Sequence, residues 1–268
     1  MEEKTNYKKL NFATGIAHEN RLPPIDAAKK AVEKGYTHFY INTEKKQLSD
    51  NTIRDLKKIV SENNLKPIVH SHWRNEISSS IETIRQKACN CIFKDIEISH
   101  KMNAPLIVHG TIDSSFKTEK VAYRNALYDF KDGFGKIRRQ AALRNVELWI
   151  ENLPNNEAAV FTNDDEYKII LDAFKDVKFL YDIGHGNVKN NPMLTFEKFY
   201  KKIIALSLSD NNGHNDSHEQ LGNGNIDFTR LIEMIHINNW RGVIIFDIHK
   251  DEVESEINYL NAICSNHL

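Results

Sequence analysis

The sequence predicts an α/β chain folded as a single (β/α)8 barrel. Three observations predict it. Short apolar, β-branched runs take turns with longer amphipathic stretches, the alternation runs through eight pairs, and the 268 residues are close to the ~250 that one such barrel uses. Alternation of this kind implies parallel strands joined by helical crossovers. The count of eight favours a closed barrel over a doubly wound open sheet. No Gly-rich dinucleotide loop follows the first strand, and Asn223-Gly224-Asn225 comes late and lacks a following Gly at the required spacing. With no internal repeat, low-complexity tract or linker-like stretch, one domain is expected over residues 1–268.

Taken in order, the strands are expected at Asn11–Ala17, Thr37–Asn42, Lys66–His72, Pro105–Gly110, Val146–Asn152, Lys178–Ile183, Ile203–Ser209 and Gly242–His249. The intervening helices are expected at Ile25–Lys34, Asp50–Asn63, Ser78–Met102, Glu119–Arg144, Asp164–Phe174, Thr195–Tyr200, Asp227–Asn238 and Asp251–Ser265. Asn51 with Ile53 and Arg54, and Ser78 with Ile81 and Glu82, have the form of polar-capped helix openings. Lys34-Gly35 and Trp240-Arg241-Gly242 have the form of helix exits that feed the next strand.

Composition narrows the function classes. Hydrophobic residues make up 40% and charged residues 27%, so a chain of this length buries a core without disulfide or metal staples. The formal charge of −1 supplies no global field for nucleic acid or an anionic membrane. The Lys-rich segments Lys29–Lys34, Lys45-Lys46 and Lys57-Lys58 fall on helices or solvated faces. Cys89 and Cys91 are two apart in a helical stretch, where their side chains diverge; with Cys264 they read as thiols of a reducing cytosol. Met1 to Leu10 is charged and carries no signal-like apolar stretch, and no run approaches the ~20 apolar residues of a membrane span. The expected location is the cytoplasm, with no membrane partner. The sequence does not specify the oligomeric state.

The chemistry lies in where the polar residues fall. In a barrel of this kind the active site is built from the C-terminal ends of the strands and the loops beyond them. The strand ends carry His70 and His72, His109, Glu151 and Asn152, Asp182 and His185, Ser207, Ser209 and Asp210, then Asp247 and His249. An unpaired charge inside a core is expensive, so a buried strand has no structural need for such groups. Around one mouth they could share cations, which offsets their repulsion and desolvation. Each has a plainer reading alone: His70 and His109 as satisfied core histidines, Glu151 as a cap on the next helix. Asp182 and His185, in Asp-x-x-His just past a strand, are a stronger signal, and Asp216-Ser217-His218 repeats the pairing on a loop. Asp247 lies in an apolar run, where an unpartnered acid is hard to explain.

These residues carry a resemblance. Tyr181-Asp182-Ile183-Gly184-His185, the stretch Asp216-Ser217-His218 followed by Leu221-Gly222-Asn223-Gly224-Asn225-Ile226, the histidine-ending Pro67-Ile68-Val69-His70, and Ile150-Glu151-Asn152 together resemble the xylose isomerase-like TIM barrels. That superfamily holds sugar isomerases and epimerases, sugar-acid dehydratases and zinc-type apurinic endonucleases. The resemblance implies a divalent metal, Zn or Mn, with the number of ions left open. It places His70, His109 and Glu151 near a first metal and Asp182 and Asp247 at an adjacent one. His185, Asp216 and His218 surround a further one in the endonuclease branch. The sequence departs from the pattern twice: Ser207 stands where a seventh-strand His is usual, and Asp247 replaces a longer Glu. His249 or His214 are the candidates to compensate.

The expected activity is metal-dependent isomerisation or epimerisation of a small, carbohydrate-like polyhydroxy carbonyl compound through an enediolate, with Glu151 and Asp247 as the proton-transferring pair. The alternatives are a multi-metal phosphodiesterase acting on abasic DNA, a dehydratase of the same superfamily, and a barrel that binds a ligand without turnover. Net charge and the missing seventh-strand His weigh against nucleic acid. Trp73, Arg74 and Lys250 are candidate substrate contacts. Glu19, Asn20, Arg21 and Asn42 have no assigned role.

Overall fold

The computed structural model describes residues 11–16, 22–43, 48–111, 120–155, 159–248 and 253–267. Its elements, in order, are β1 (Asn11–Ile16), α1 (Pro24–Glu33), β2 (His38–Asn42), α2 (Asp50–Asn63), β3 (Lys66–His70), α3 (Glu82–Met102), β4 (Leu106–His109), α4 (Lys120–Leu143), β5 (Leu148–Glu151), α5 (Asp164–Ala173), β6 (Lys178–Asp182), α6 (Ile183–Asn187), α7 (Pro192–Phe199), β7 (Ile203–Leu208), α8 (Phe228–Ile237), β8 (Val243–Ile248) and α9 (Val253–His267). The strands are all parallel and follow chain order around a closed barrel. The closing pair runs from Asn11 opposite Val243 to Ile16 opposite Ile248.

Side-chain alternation sorts each strand into two faces. One face looks outward. Phe39, Ile41, Val69, Val108, Ile150, Phe179, Leu206, Leu208, Ile244 and Phe246 join the buried faces of the helices in one large apolar cluster. Burying each such side chain contributes roughly 1.5–3 kcal/mol, enough to fix register, because a one-residue slip would turn the whole set inside out. The other face looks inward. There Tyr40, Ile68, Ile107, Trp149, Leu180, Ala205 and Ile245, one from each of β2 to β8, form a separate apolar floor. Two residues further along the same strands stand Asn42, His70, His109, Glu151, Asp182, Ser207 and Asp247. By the same alternation they form the next layer, nearer the C-terminal mouth. The barrel is thus apolar below and ionisable above.

Several element limits differ from those expected. β3 ends at His70 rather than His72, β5 at Glu151 rather than Asn152, and β7 at Leu208 rather than Ser209, because pairing stops where the polar ends turn toward the mouth. The helix expected from Ser78 starts at Glu82, and Ser79 Oγ accepts the Ile81 N–H in the turn before it. The cap of α2 is Ser49, which accepts from the Thr52 N–H, not Asn51. The helix expected at Thr195–Tyr200 begins earlier, at Pro192, capped by Asn191. α6 was not expected at all, since its five residues carry no helical periodicity. The three cysteines are free thiols, Cys89 buried and Cys91 exposed. Glu19, Asn20, Arg21, Lys45-Lys46, His249 and Lys250 lie outside the described residues.

Candidate metal centre

His109 and Glu151 are direct register partners on β4 and β5, so their side chains leave the barrel wall together. Glu151 Oε2 lies 3.0 Å from His109 Nε2 and 3.4 Å from His70 Nε2, with all three residues buried. Burial alone would raise the Glu151 carboxyl; His109 and then His70 outweigh it and hold the group well below the usual carboxylate range. The His70 ring stacks on Tyr40 of the floor at 5.2 Å between centroids, which fixes its plane.

The next group is built at the end of β6. Asn152, the residue after β5, accepts the Asp182 N–H at 2.7 Å and donates to the Asp182 carbonyl at 2.9 Å. Asp182 Oδ1 accepts the His185 N–H at 2.7 Å, so the carboxylate caps α6 and forces the chain into one tight turn. Gly184 sits in that turn because a Cβ there would fall 2.3 Å from Ser209 Oγ. The turn brings His185 Nδ1 to 2.7 Å from the Asn152 carbonyl. A carbonyl can only accept, so Nδ1 carries a proton and Nε2 is left to face the mouth.

Asp216 and His218 arrive on the loop between β7 and α8. His218 Nδ1 donates to the Asp247 carbonyl at 2.8 Å, and its Nε2 lies 2.9 Å from Asp216 Oδ2. His185 Nε2 is 3.1 Å from that same oxygen. His218 adopts a left-handed backbone (φ 47°), a local cost of about 1–3 kcal/mol that the surrounding loop must offset. Asp210 supplies the hold. Its carboxylate accepts the N–H groups of Asn211, Gly222, Gly224 and Ile226 at 2.8–3.2 Å, and its backbone bridges Glu219 in both directions. A Cβ on Gly224 would fall 2.2 Å from the Asn211 carbonyl. The Leu-Gly-x-Gly-x-Ile stretch is therefore a clasp, and Asp210, metal-competent by residue type, is its rivet.

Charge concentrates around Asp216. Burial would raise its carboxyl, but His185 and His218 outweigh that and hold it far below the ordinary range. Burial would likewise lower both imidazoliums. Asp182 and Asp216 overcome it at His185, held well above its usual value, and Asp247 and Asp216 at His218, pushed up to about 10. Burial dominates at Asp182, raising it to about 6. These shifts favour protons on His185 and His218, whose Nε2 atoms both face Asp216 Oδ2.

Three donor sets have ligand atoms within 4.8 Å of one another among the described residues: His70, His109 and Glu151; Glu151, Asp182 and His185; and His185, Asp216 and His218. They share Glu151 and His185, so they form one continuous arc. Asp182 Oδ2 and Asp216 Oδ1 are buried with no hydrogen-bond partner, and two of the histidines have Nδ1 tied to a backbone carbonyl, the outer hydrogen bond that orients an imidazole ligand. A divalent cation fits this chemistry: imidazole nitrogens and carboxylate oxygens with unused lone pairs, two or three to a set. Seven of the eight expected ligands thus converge. Asp247 stands beside the arc rather than in it, its Oδ1 3.9 Å from His218 Nδ1 and without a hydrogen bond. Ser207 is buried opposite Asp182 in register and brings no strong ligand. His214 is exposed and belongs to none of the three sets. Two residues had no expected role here. Asn152 positions both Asp182 and His185, and Asn42 takes the β2 place in the polar layer; its place two residues past Tyr40 was the available signal.

The family described as Xylose isomerase-like TIM barrel matches residues 28–263 of the chain. The uncharacterized protein MJ1614 of Methanocaldococcus jannaschii is 28% identical over 172 residues, 61% of this chain and 66% of that protein, so the chain spans just under two thirds of that relative. Among solved structures, a D-tagatose 3-epimerase-like protein superposes with a TM-score of 0.80 at 21% identity, covering 96% of this chain and 97% of that one. Endonuclease IV from Thermus thermophilus superposes with a TM-score of 0.73 at 16% identity, covering 96% and 99%.

Proposed function

The chain belongs to the xylose isomerase-like TIM barrel family, and from that premise we propose that it is a divalent-metal-dependent isomerase or epimerase of a small polyhydroxylated carbonyl compound. The proposal takes residues 1–268 as one domain and the closed sheet as a full (β/α)8 barrel, supported by the β1–β8 pairing. One observation carries it. Three acids, Glu151, Asp182 and Asp247, rise from different strands into one inward layer over an apolar floor, and Asp182 and Asp247 each keep a buried oxygen without a hydrogen bond. A layer of this kind suits a small polar molecule held over the floor.

His70, His109, Glu151, Asp182, His185, Asp216 and His218 would hold the metal, zinc or manganese. A bound divalent cation supplies orientation of adjacent substrate oxygens and polarisation of the carbonyl. Glu151 and Asp247 would take the proton-transfer roles on either side of a substrate carbon. One carboxylate removes the proton beside the carbonyl, and the other carboxyl returns a proton to the opposite face or to the neighbouring carbon. Loss of a hydroxide after the same first step would make the enzyme a dehydratase. The apolar floor shields the proton from exchange by bulk water on one side. No helix among the described residues is long and apolar enough to cross a membrane, and a cytoplasmic location remains part of the proposal.

A second reading has its own observation in favour: three donor sets linked through shared ligands suit a multi-metal phosphodiesterase that cuts abasic DNA. Ser207 in the seventh-strand position and a formal charge of −1 weigh against it. Incubation of the metal-loaded protein in deuterium oxide with a panel of ketoses and their phosphates separates the two. Solvent deuterium entering beside the carbonyl, abolished in Glu151→Gln, supports the isomerase. Nicking of an abasic oligonucleotide, lost in the same variant and without any exchange, supports the hydrolase instead.

A further inference from the structure

Beside the mouth, outside the three donor sets, lies a cavity of about 360 Å³ between α3 and the segments that follow β2 and β3. Thr43, His72, Arg74, Asn75, Lys94 and Asp95 line it, with Cys91 on its α3 wall. We infer that this cavity is a binding site for a phosphoryl group, inorganic phosphate or the phosphate end of a small monoester. The inference is independent of the reaction assigned to the metal centre.

Two full positive charges come from separate elements, Arg74 from the segment after β3 and Lys94 from α3. Arg74 is held in place, its guanidinium 4.7 Å over the Trp73 ring, which leaves the planar fork with less freedom to lose on binding. The Arg74 backbone N–H donates to His72 Nδ1 at 3.0 Å, which fixes the imidazole on the cavity wall. Asn75 adds an amide, one N–H of which goes to Ser71 Oγ. Among the described lining residues the acid is Asp95, and its carboxylate is engaged elsewhere. Asp95 is buried, its Oδ2 accepts the Ser71 hydroxyl at 2.7 Å, and Thr43 also hydrogen-bonds it. A guanidinium fork, an ammonium and an amide together offer more donors than a carboxylate can use, and match the three terminal oxygens of a phosphoryl group.

Cys91 provides a local readout, since it is exposed on the cavity wall while Cys89 is buried. The full-length protein is treated with neutral iodoacetamide, and alkylation of Cys91 is followed by peptide mass spectrometry at constant ionic strength with chloride, acetate or inorganic phosphate. Phosphate at about 10 mM, a concentration suited to a millimolar site, slows Cys91 alkylation severalfold relative to chloride. In Arg74→Gln/Lys94→Gln each phosphate rate is compared with that variant's own rate in chloride, and the ratio returns to one, so the protection is lost. Equal rates in phosphate and chloride, or protection that survives in the double variant, overturn the site. Equal protection by acetate overturns the phosphoryl assignment. A cation retained at the metal centre does not confuse the result, because the reporter sits in the cavity itself.

Discussion

Asn152 and Asp182 hold each other by two hydrogen bonds, the Asn152 amide accepting the Asp182 N–H at 2.7 Å and donating to the Asp182 carbonyl at 2.9 Å. The pairing ties the segment after β5 to the last residue of β6 without using either Asp182 side-chain oxygen. Oδ1 is then available to cap α6, and Oδ2 remains buried with no hydrogen bond. The Asn152 carbonyl meanwhile fixes the tautomer of His185. One neutral residue therefore sets the geometry of two candidate ligands.

Removing that residue's amide should be costly. Asn152→Ala leaves the buried Asp182 N–H without its partner and takes one of two donors from the carbonyl, which as the cap of α6 keeps its helical bond, and we expect a loss on the order of 1–3 kcal/mol in urea unfolding. Metal content should fall with it, since Asp182 and His185 lose their alignment. A variant that unfolds like the wild type would mean that this double hydrogen bond does not hold the strand ends.

Asp210 should behave as a structural residue despite its acidic side chain. Asp210→Ala orphans four backbone N–H groups in the clasp, and a destabilisation on the order of 3–5 kcal/mol follows from the usual cost of such groups. Limited proteolysis should cut first between residues 211 and 226. Cleavage elsewhere, with the loop still protected, would argue against the clasp.

Glu166, which belongs to none of the three donor sets, gives a pH dependence of its own. Burial raises its carboxyl from 4.5 to about 7, although Oε2 accepts the Thr162 N–H at 2.7 Å. An acid whose value is raised on folding favours the protonated fold. Its contribution is complete below about pH 4.5 and is lost as pH rises through about 7, to a total of roughly 3 kcal/mol. Glu166→Gln cannot ionise, so its unfolding free energy should fall less between pH 5 and 8 than that of the wild type. Parallel profiles for the two proteins would rule out Glu166 as the source of the slope.

Cation binding at His185, Asp216 and His218 should release protons. With no cation both imidazoles are held protonated at neutral pH, facing one Asp216 oxygen at 3.1 and 2.9 Å. A metal takes the place of those protons, so zinc titrations at pH 7.5 should release about two. Calorimetry in buffers of different ionisation enthalpy measures the number. Release of none would mean that the metal does not enter this set.

Much of this arrangement was legible in the sequence because strands alternate strictly. Each of Tyr40, Ile68, Ile107, Trp149, Leu180, Ala205 and Ile245 is followed two positions later by a polar residue, so one face of the strand changes character at the mouth. The pattern marks Asn42 as clearly as His70. Local turns were not legible. α6 has too few residues for a helical period and forms because Asp182 caps it, and Asp210 looks like a ligand until its four N–H partners are seen. Asp247 shares the layer, yet the His218 ring stands between its carbonyl and the Asp216 carboxylate. Contacts of that kind depend on loop path, which residue type and spacing do not encode.

The central claim is that acids and imidazoles distant in the chain share cations at one end of the barrel. Elemental analysis of purified wild type beside Glu151→Gln and Asp216→Asn tests it most directly. We expect at least one equivalent of zinc or manganese in the wild type and a reduced amount in each variant, with their folds intact by circular dichroism. A wild-type protein that stays free of divalent metal after dialysis against micromolar zinc and manganese, or variants that retain the full amount, would contradict the account.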